Sequence, residues 1–286
     1  MSLHIDNLRV QLGDVFVVRS AGLEVGVGQR VGLIGPSGSG KSMITKAVLG
    51  MLPPGARASG SIRFFGQELL GLDERAMADL RGSYIGTVFQ NPGASLNPVL
   101  TVARQVELPL RLHYRLSRAE RRERVADMLA RVGLTADLAG KYPGQLSGGQ
   151  QQRVAMATAL VTAPKLIVAD EPTTALDSIT QRQIIDLLVR LVDDTGASLF
   201  FITHDFTVLE RACRYSYVLD QGRVVEHGPT DRLLAAPREP LTRRLVEAAD
   251  ALTLRAEDSG ISEDHRLRPE PFLQPSLHDP RGRGNE

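Results

Sequence analysis

The chain has 286 residues, 42% of them hydrophobic, which is enough to bury a full core and too many for a wholly disordered protein. Its 34 Lys and Arg against 33 Asp and Glu leave a net charge of +1, which excludes the strongly basic surface of a nucleic-acid-binding domain. Cys213 is the single cysteine, so internal disulfides and cysteine-ligated metal sites are excluded too.

The segment Met1 to Asp6 lacks the charged-then-apolar layout of a signal peptide, and no apolar run reaches membrane-spanning length. The expectation is a soluble cytoplasmic protein. Leu8, Val10 and Leu12 alternate with polar residues as a half-buried strand requires, and so do Leu23, Val25 and Val27. A turn over Gly26–Gln29 leads into a strand at Arg30–Ile34. A glycine-rich loop follows, then a helix from about Lys41 to Leu52 that Pro53-Pro54-Gly55 stops. Ser61–Phe65 reads as a short strand.

From about Pro92 to Pro164 the periodicity is helical. Ser117 and Glu120 have capping-box spacing, and Val125, Met128, Leu129 and Val132 mark one apolar face that Gly133 closes. Arg118, Arg121, Arg122 and Arg124 sit mostly off that face and read as a solvated surface. After Pro164 the α/β alternation resumes. Leu166–Asp170 is a strand, Ile184, Leu187, Leu188 and Leu191 mark a helix closed by Gly196, and Ser198–Thr203 is the next strand. Tyr217–Leu219 and Arg223–Glu226 flank Asp220-Gln221-Gly222 as a hairpin. Beyond Arg255 the composition is charged, proline-dotted and without apolar periodicity, and disorder is expected there. No internal repeat is visible.

Gly35-Pro36-Ser37-Gly38-Ser39-Gly40-Lys41-Ser42 fits the P-loop pattern, and its position between a strand and a helix is the context that pattern requires. Backbone N–H groups of such a loop cradle phosphate, aided by the helix N-terminus. Lys41 would reach the β- and γ-phosphates of ATP, and the Ser42 hydroxyl would help hold Mg²⁺. The apolar strand ending in Asp170-Glu171 supplies two carboxylates: the first can orient Mg²⁺, the second can take a proton from attacking water. Leu146-Ser147-Gly148-Gly149-Gln150 starts a second helix whose free N–H groups and glycines suit another phosphate contact. Two phosphate-cradling helix starts in one chain suggest that two chains share each nucleotide.

With these motifs in order, the sequence resembles the ATPases of ABC transporters over about residues 3–250. The resemblance implies an α/β fold: a P-loop core, an antiparallel β layer, a helical subdomain at about 92–164 and a C-terminal extension at about 228–254. One domain would cover 1–254, with 255–286 a disordered tail. It also implies roles. Gln90 would be the Q-loop glutamine that senses Mg²⁺ and the membrane partner, Glu171 the catalytic glutamate, Asp177 the D-loop aspartate and His204 the switch histidine. Ser147 and Gly149 would face the γ-phosphate of a partner chain's ATP. One departure stands out. The family stacks adenine on an aromatic residue ahead of the P-loop, where this chain has Leu12; Phe16 is the nearby substitute, with a core role as its alternative.

The narrower likeness is to peptide/nickel importer ATPases. It rests on Val88-Phe89-Gln90-Asn91-Pro92, Ser95-Leu96-Asn97-Pro98, Leu52–Ile62, Glu171–Asp177 and Pro240-Leu241-Thr242-Arg243-Arg244-Leu245. The implied partners are a second cassette, identical or homologous, two membrane permease subunits and an extracytoplasmic solute-binding protein, with no nucleic acid. The implied location is the cytoplasmic face of the membrane. Peptides are the preferred cargo and nickel or a metal chelate the alternative. A non-transport ABC ATPase acting on DNA or ribosomes fits less well, because paired cassettes, coiled coils and zinc insertions are missing from the sequence. A binding-only regulatory subunit is disfavoured by the intact Lys41, Asp170, Glu171 and His204.

Overall fold

The computed structural model describes residues 1–258 apart from 175, with side chains through 249. Ten strands form one sheet. In chain order they are β1 (Leu3–Leu12), β2 (Val15–Val25), β3 (Arg30–Ile34), β4 (Ala56–Phe64), β5 (Gln67–Glu68), β6 (Ile85–Val88), β7 (Leu166–Asp170), β8 (Ser198–Thr203), β9 (Tyr215–Asp220) and β10 (Arg223–Pro229). Across the sheet the order is β5-β4-β1-β2-β10-β9-β3-β8-β7-β6. The strands β9, β3, β8, β7 and β6 run parallel, whereas β5, β4, β1 and β2 form an antiparallel layer. Strand β10, antiparallel to β9, links the two parts through its bridge from Arg223 to Ser20 of β2 and through the Arg19 and Ser20 N–H groups, which donate to Gly222 O.

The helices are α1 (Lys41–Val48), α2 (Glu74–Leu80), α3 (Pro92–Ser95), α4 (Val102–His113), α5 (Arg118–Arg131), α6 (Gly148–Leu160), α7 (Ser178–Thr195), α8 (Phe206–Ala212), α9 (Thr230–Ala235) and α10 (Pro240–Asp258). Four of them, α3 to α6, occupy the stretch between β6 and β7. Among the described residues no helix is long and apolar enough to cross a membrane.

The central strands are buried on both faces, so their alternate residues serve two cores. Leu166, Val168, Phe200 and Ile202 join the cluster formed with α1 and the antiparallel layer. Ile167, Ala169, Leu199 and Phe201 join the cluster formed with α4 to α8. This double burial explains why β7 and β8 read as continuous apolar runs.

Several boundaries move. Helix α1 ends at Val48 rather than near Leu52, because Gly50 takes a left-handed φ of 63° and Met51 N–H bonds back to Lys46 O. Strand β4 starts at Ala56, paired with Leu12 of β1, rather than at Ser61. Val27, grouped with the β2 alternation, lies beyond the end of that strand and is exposed. The capping box at Ser117 and Glu120 and the Gly196 stop of α7 form where expected. Helix α10 crosses the expected boundary at 254, Val246 and Ala249 bury against the second core, and the Glu226 carboxylate accepts the N–H groups of Arg238 and Glu239 just before it. The stretch 259–286, most of the expected disordered tail, lies outside the described residues.

Candidate active site

The P-loop joins the end of β3 to the start of α1 and follows the backbone of β2. Gly40 has φ 108°, and a Cβ there would stand 2.8 Å from Val17 O, so only glycine fits this turn. Close by, Gly222 N–H in the β9–β10 turn donates to Ser39 O (2.8 Å). Gly35, Ser39 and Lys41 are buried; Pro36 is half-buried, and Ser37, Gly38 and Ser42 are exposed. The buried Ser39 hydroxyl has no hydrogen-bond partner. Lys41 Nζ donates to Gly35 O (2.7 Å) and Pro36 O (3.0 Å) and lies 3.9 Å from Glu171 Oε1. Burial pushes this lysine below its ordinary value, while Glu171 and Asp170 pull it back up.

Two carboxylates leave the end of β7 in different environments. Burial raises the Asp170 carboxyl to about 6, the neighbouring Glu171 adds to the rise, and Lys41 opposes it. Asp170 Oδ1 is buried without a hydrogen-bond partner. An orphaned carboxylate oxygen at the P-loop is the donor a hard divalent cation takes, so the residues fit Mg²⁺.

Glu171 has φ 46°, a left-handed conformation that costs a non-glycine residue about 1–3 kcal/mol. Its N–H still bonds Ile202 O (2.9 Å), so the chain turns sharply while tied to β8. Four groups then surround the carboxylate. Gln90 Nε2 and Thr174 Oγ1 each donate to Oε2 at 3.2 Å, while His204 Nδ1 at 3.2 Å and Lys41 Nζ face Oε1. The sheet order brings β6, which ends before Gln90, beside β7, and β8, which ends before His204, on its other side. Thr174 escaped the sequence reading as a site residue. The signal was its position three after Glu171, where its hydroxyl also reaches Glu171 O at 3.3 Å.

Ser147 caps α6 through a reciprocal bond pair: Gln150 N–H donates to Ser147 Oγ (3.3 Å) and Ser147 N–H donates to Gln150 Oε1 (3.0 Å). Gly149 lies against the Thr180 methyl of α7, and Asp177 caps α7 by accepting Thr180 N–H (3.0 Å). Lys41, Glu171, Gln90 and His204 thus converge on one point, with Asp170 beside them; Ser147, Gly149 and Asp177 group together at the starts of α6 and α7.

The β1–β2 hairpin carries Leu12 and Phe16, which are 42% and 47% exposed, so Phe16 is no core residue. Phe16 and Val15 line a groove of about 620 Å³ with Arg9, Asp14, Arg19, Ser20 and Arg223. A half-exposed ring beside guanidinium groups suits a nucleotide base, and the carbonyl of Val17, the next residue, lies against Gly40 of the P-loop. Phe16→Ala is expected to weaken ATP binding by about 1–3 kcal/mol, the range for base–aromatic stacking, and to leave the melting temperature unchanged. Calorimetric titration with ATP and with triphosphate alone checks it: only the ATP affinity should fall.

The match to the ABC transporter family profile spans residues 18–174, from β2 through the P-loop to Thr174. The chain belongs to the ABC transporter family. This ABC cassette is 38% identical to the probable peptide ABC transporter ATP-binding protein y4tR of Sinorhizobium fredii, over 94% of this chain and 80% of that one. It is 37% identical to the dipeptide transport ATP-binding protein DppD of Escherichia coli, over 97% and 84% of the two chains. Among solved structures, the cassette MJ0796, a dimer in a post-hydrolysis state bound to ADP and phosphate, superposes with a TM-score of 0.71 at 34% identity, covering 80% of this chain and 98% of the other. The cassette is therefore an ATP-binding transporter subunit with the α/β P-loop fold expected of it.

Proposed function

We propose that this cassette hydrolyses ATP to drive an ABC importer for di- and oligopeptides, from the cytoplasmic face of the membrane. The convergence of Lys41, Gln90, Thr174 and His204 on the Glu171 carboxylate carries the reading. The names of the peptide and dipeptide relatives favour the cargo.

In this account the P-loop N–H groups from Gly38 to Ser42 hold the phosphates. Lys41 exchanges its bonds to the Gly35 and Pro36 carbonyls for the β- and γ-phosphates, so its burial is compensated by a stronger charge partner. Asp170, the Ser42 hydroxyl and Gln90 would hold Mg²⁺, which when bound neutralises charge on the phosphate oxygens. Glu171 orients the attacking water and accepts its proton. His204 steadies the carboxylate on one side, and Gln90 and Thr174 steady it on the other. Phosphoryl transfer has a loose transition state, so these groups act through position and charge rather than covalent chemistry.

Ser147 and Gly149 present the α6 N-terminus to the γ-phosphate of a second cassette's ATP, and Asp177 lies at the same junction. Two permease subunits and a solute-binding protein complete the machine. Reconstitution of the assembled transporter in proteoliposomes tests the cargo. ATP-dependent uptake of a labelled dipeptide, with faster ATP hydrolysis when peptide-loaded binding protein is present, is expected. Uptake of Ni²⁺ or a nickel chelate without peptide uptake would replace this cargo with the metal reading.

A further inference from the structure

Helix α3 begins two residues after Gln90, and the side chain of Gln151 fills the gap between it and the loop that ends at Ser147. Gln151 sits in the first turn of α6, half-buried. Its amide Nε2 donates to Pro143 O (2.9 Å) and Leu146 O (3.4 Å), the carbonyls on the approach to Ser147. Its other end faces α3 so closely that a Cβ on Gly93 would stand 3.1 Å from Gln151 Oε1. Asn91, next to Gln90, caps α3 by accepting Ala94 N–H (3.2 Å). A continuous path therefore runs from the Glu171 carboxylate through Gln90 to Asn91 and Gly93, across Gln151, and into the loop at Leu146 and Ser147.

We propose that Gln151 is a positioning residue that sets the α6 N-terminus according to the placement of the Gln90 segment. The inference rests on the composite-site function proposed above. A glutamine suits the task because one planar amide supplies a donor for two carbonyls while its carbonyl end lies against Gly93. When the Gln90 segment shifts, α3 pushes on the amide. The loop before Ser147 must then move with it or give up two hydrogen bonds. Other polar groups of the cap, Ser147 and Gln150, satisfy each other and make no such link.

The test uses the purified full-length chain, with its partner cassette if the natural pair is heteromeric. Gln151→Leu removes the donor and leaves an apolar side chain one atom shorter; Gln151→Lys restores a donor that can reach both carbonyls. Three quantities are read: ATP affinity of the monomer, kcat against KM for ATP hydrolysis, and ATP-driven dimerisation in a Glu171→Gln background. Gln151→Leu should leave monomer ATP affinity and melting temperature as in the parent. It should lower kcat and weaken dimerisation, each by about tenfold, the equivalent of losing two modest hydrogen bonds. Gln151→Lys should recover most of both. Wild-type dimerisation and kcat in Gln151→Leu would overturn the proposal, as would equal losses in both variants or losses that track a lower melting temperature. An inactive wild type would count against the proposed function instead, and dimerisation would then decide the role of Gln151.

Discussion

Glu171→Gln should retain ATP binding and lose turnover by about 10²–10⁴-fold, the range that a positioned proton acceptor contributes. The amide has the carboxylate's shape, and its oxygen can still accept from Gln90 and Thr174, which meet Glu171 at Oε2. It cannot accept a proton from water. The new NH₂ replaces the oxygen that faced Lys41 and His204, and because bound ATP is not turned over the loaded site stays closed. Size-exclusion chromatography with ATP should show a stable dimer for the variant and a transient one for the wild type. Hydrolysis at near wild-type rate would remove Glu171 from the proton-accepting role.

Asp170→Asn should stabilise the nucleotide-free protein and destabilise the MgATP-bound one. The folded carboxyl titrates at about 6 against an ordinary 3.8, so folding binds protons in that window. Ionised Asp170 therefore weakens the nucleotide-free fold progressively as pH rises from 3.8 to about 6, and fully above it; at neutral pH the cost is about 1–3 kcal/mol. The asparagine variant should melt higher than wild type at pH 7 and lose that advantage near pH 4. With Mg²⁺ and ATP the order should reverse, because the carboxylate that destabilises the empty site holds the cation. Melting curves at two pH values, with and without MgATP, check both halves. A variant less stable than wild type at pH 7 without nucleotide would mean that Asp170 supports the fold through contacts the asparagine loses.

What was legible in the sequence was local. The P-loop announces itself because phosphate cradling needs glycines, a lysine and a helix start within eight consecutive positions, Gly35 to Ser42. The Ser147–Gln150 cap is legible for the same reason: both partners lie within one turn. The catalytic cluster is only half legible. Gln90, Glu171 and His204 come from three separate strand ends, and nothing in the sequence fixes that β7 lies between β6 and β8. The left-handed backbone at Glu171 carries no sequence mark, since glycine or asparagine would be the usual residue there. The contact between Gly93 and Gln151 belongs to tertiary packing alone. Helix α1 illustrates a different loss: prolines after Leu52 offered an obvious stop, but the quieter Gly50 acts first.

In the proposed function each ATP is held by the P-loop of one chain and the Ser147 cap of another. Lys41→Ala removes the ammonium from one side of a site, and Ser147→Arg blocks the helix N-terminus on the other. In a homodimer each variant alone damages both sites. A mixed dimer of the two variants holds one site with both defects and one with neither, the latter pairing Lys41 of the Ser147→Arg chain with Ser147 of the Lys41→Ala chain. If the natural pair joins two different cassettes, the same substitutions in this chain disable opposite sites, and only the double variant loses both. The decisive measurement is the ATPase rate after mixing the two inactive variants of the homodimer. Recovery of part of the wild-type rate is the predicted result, and no recovery from an otherwise active homodimer would contradict the shared site.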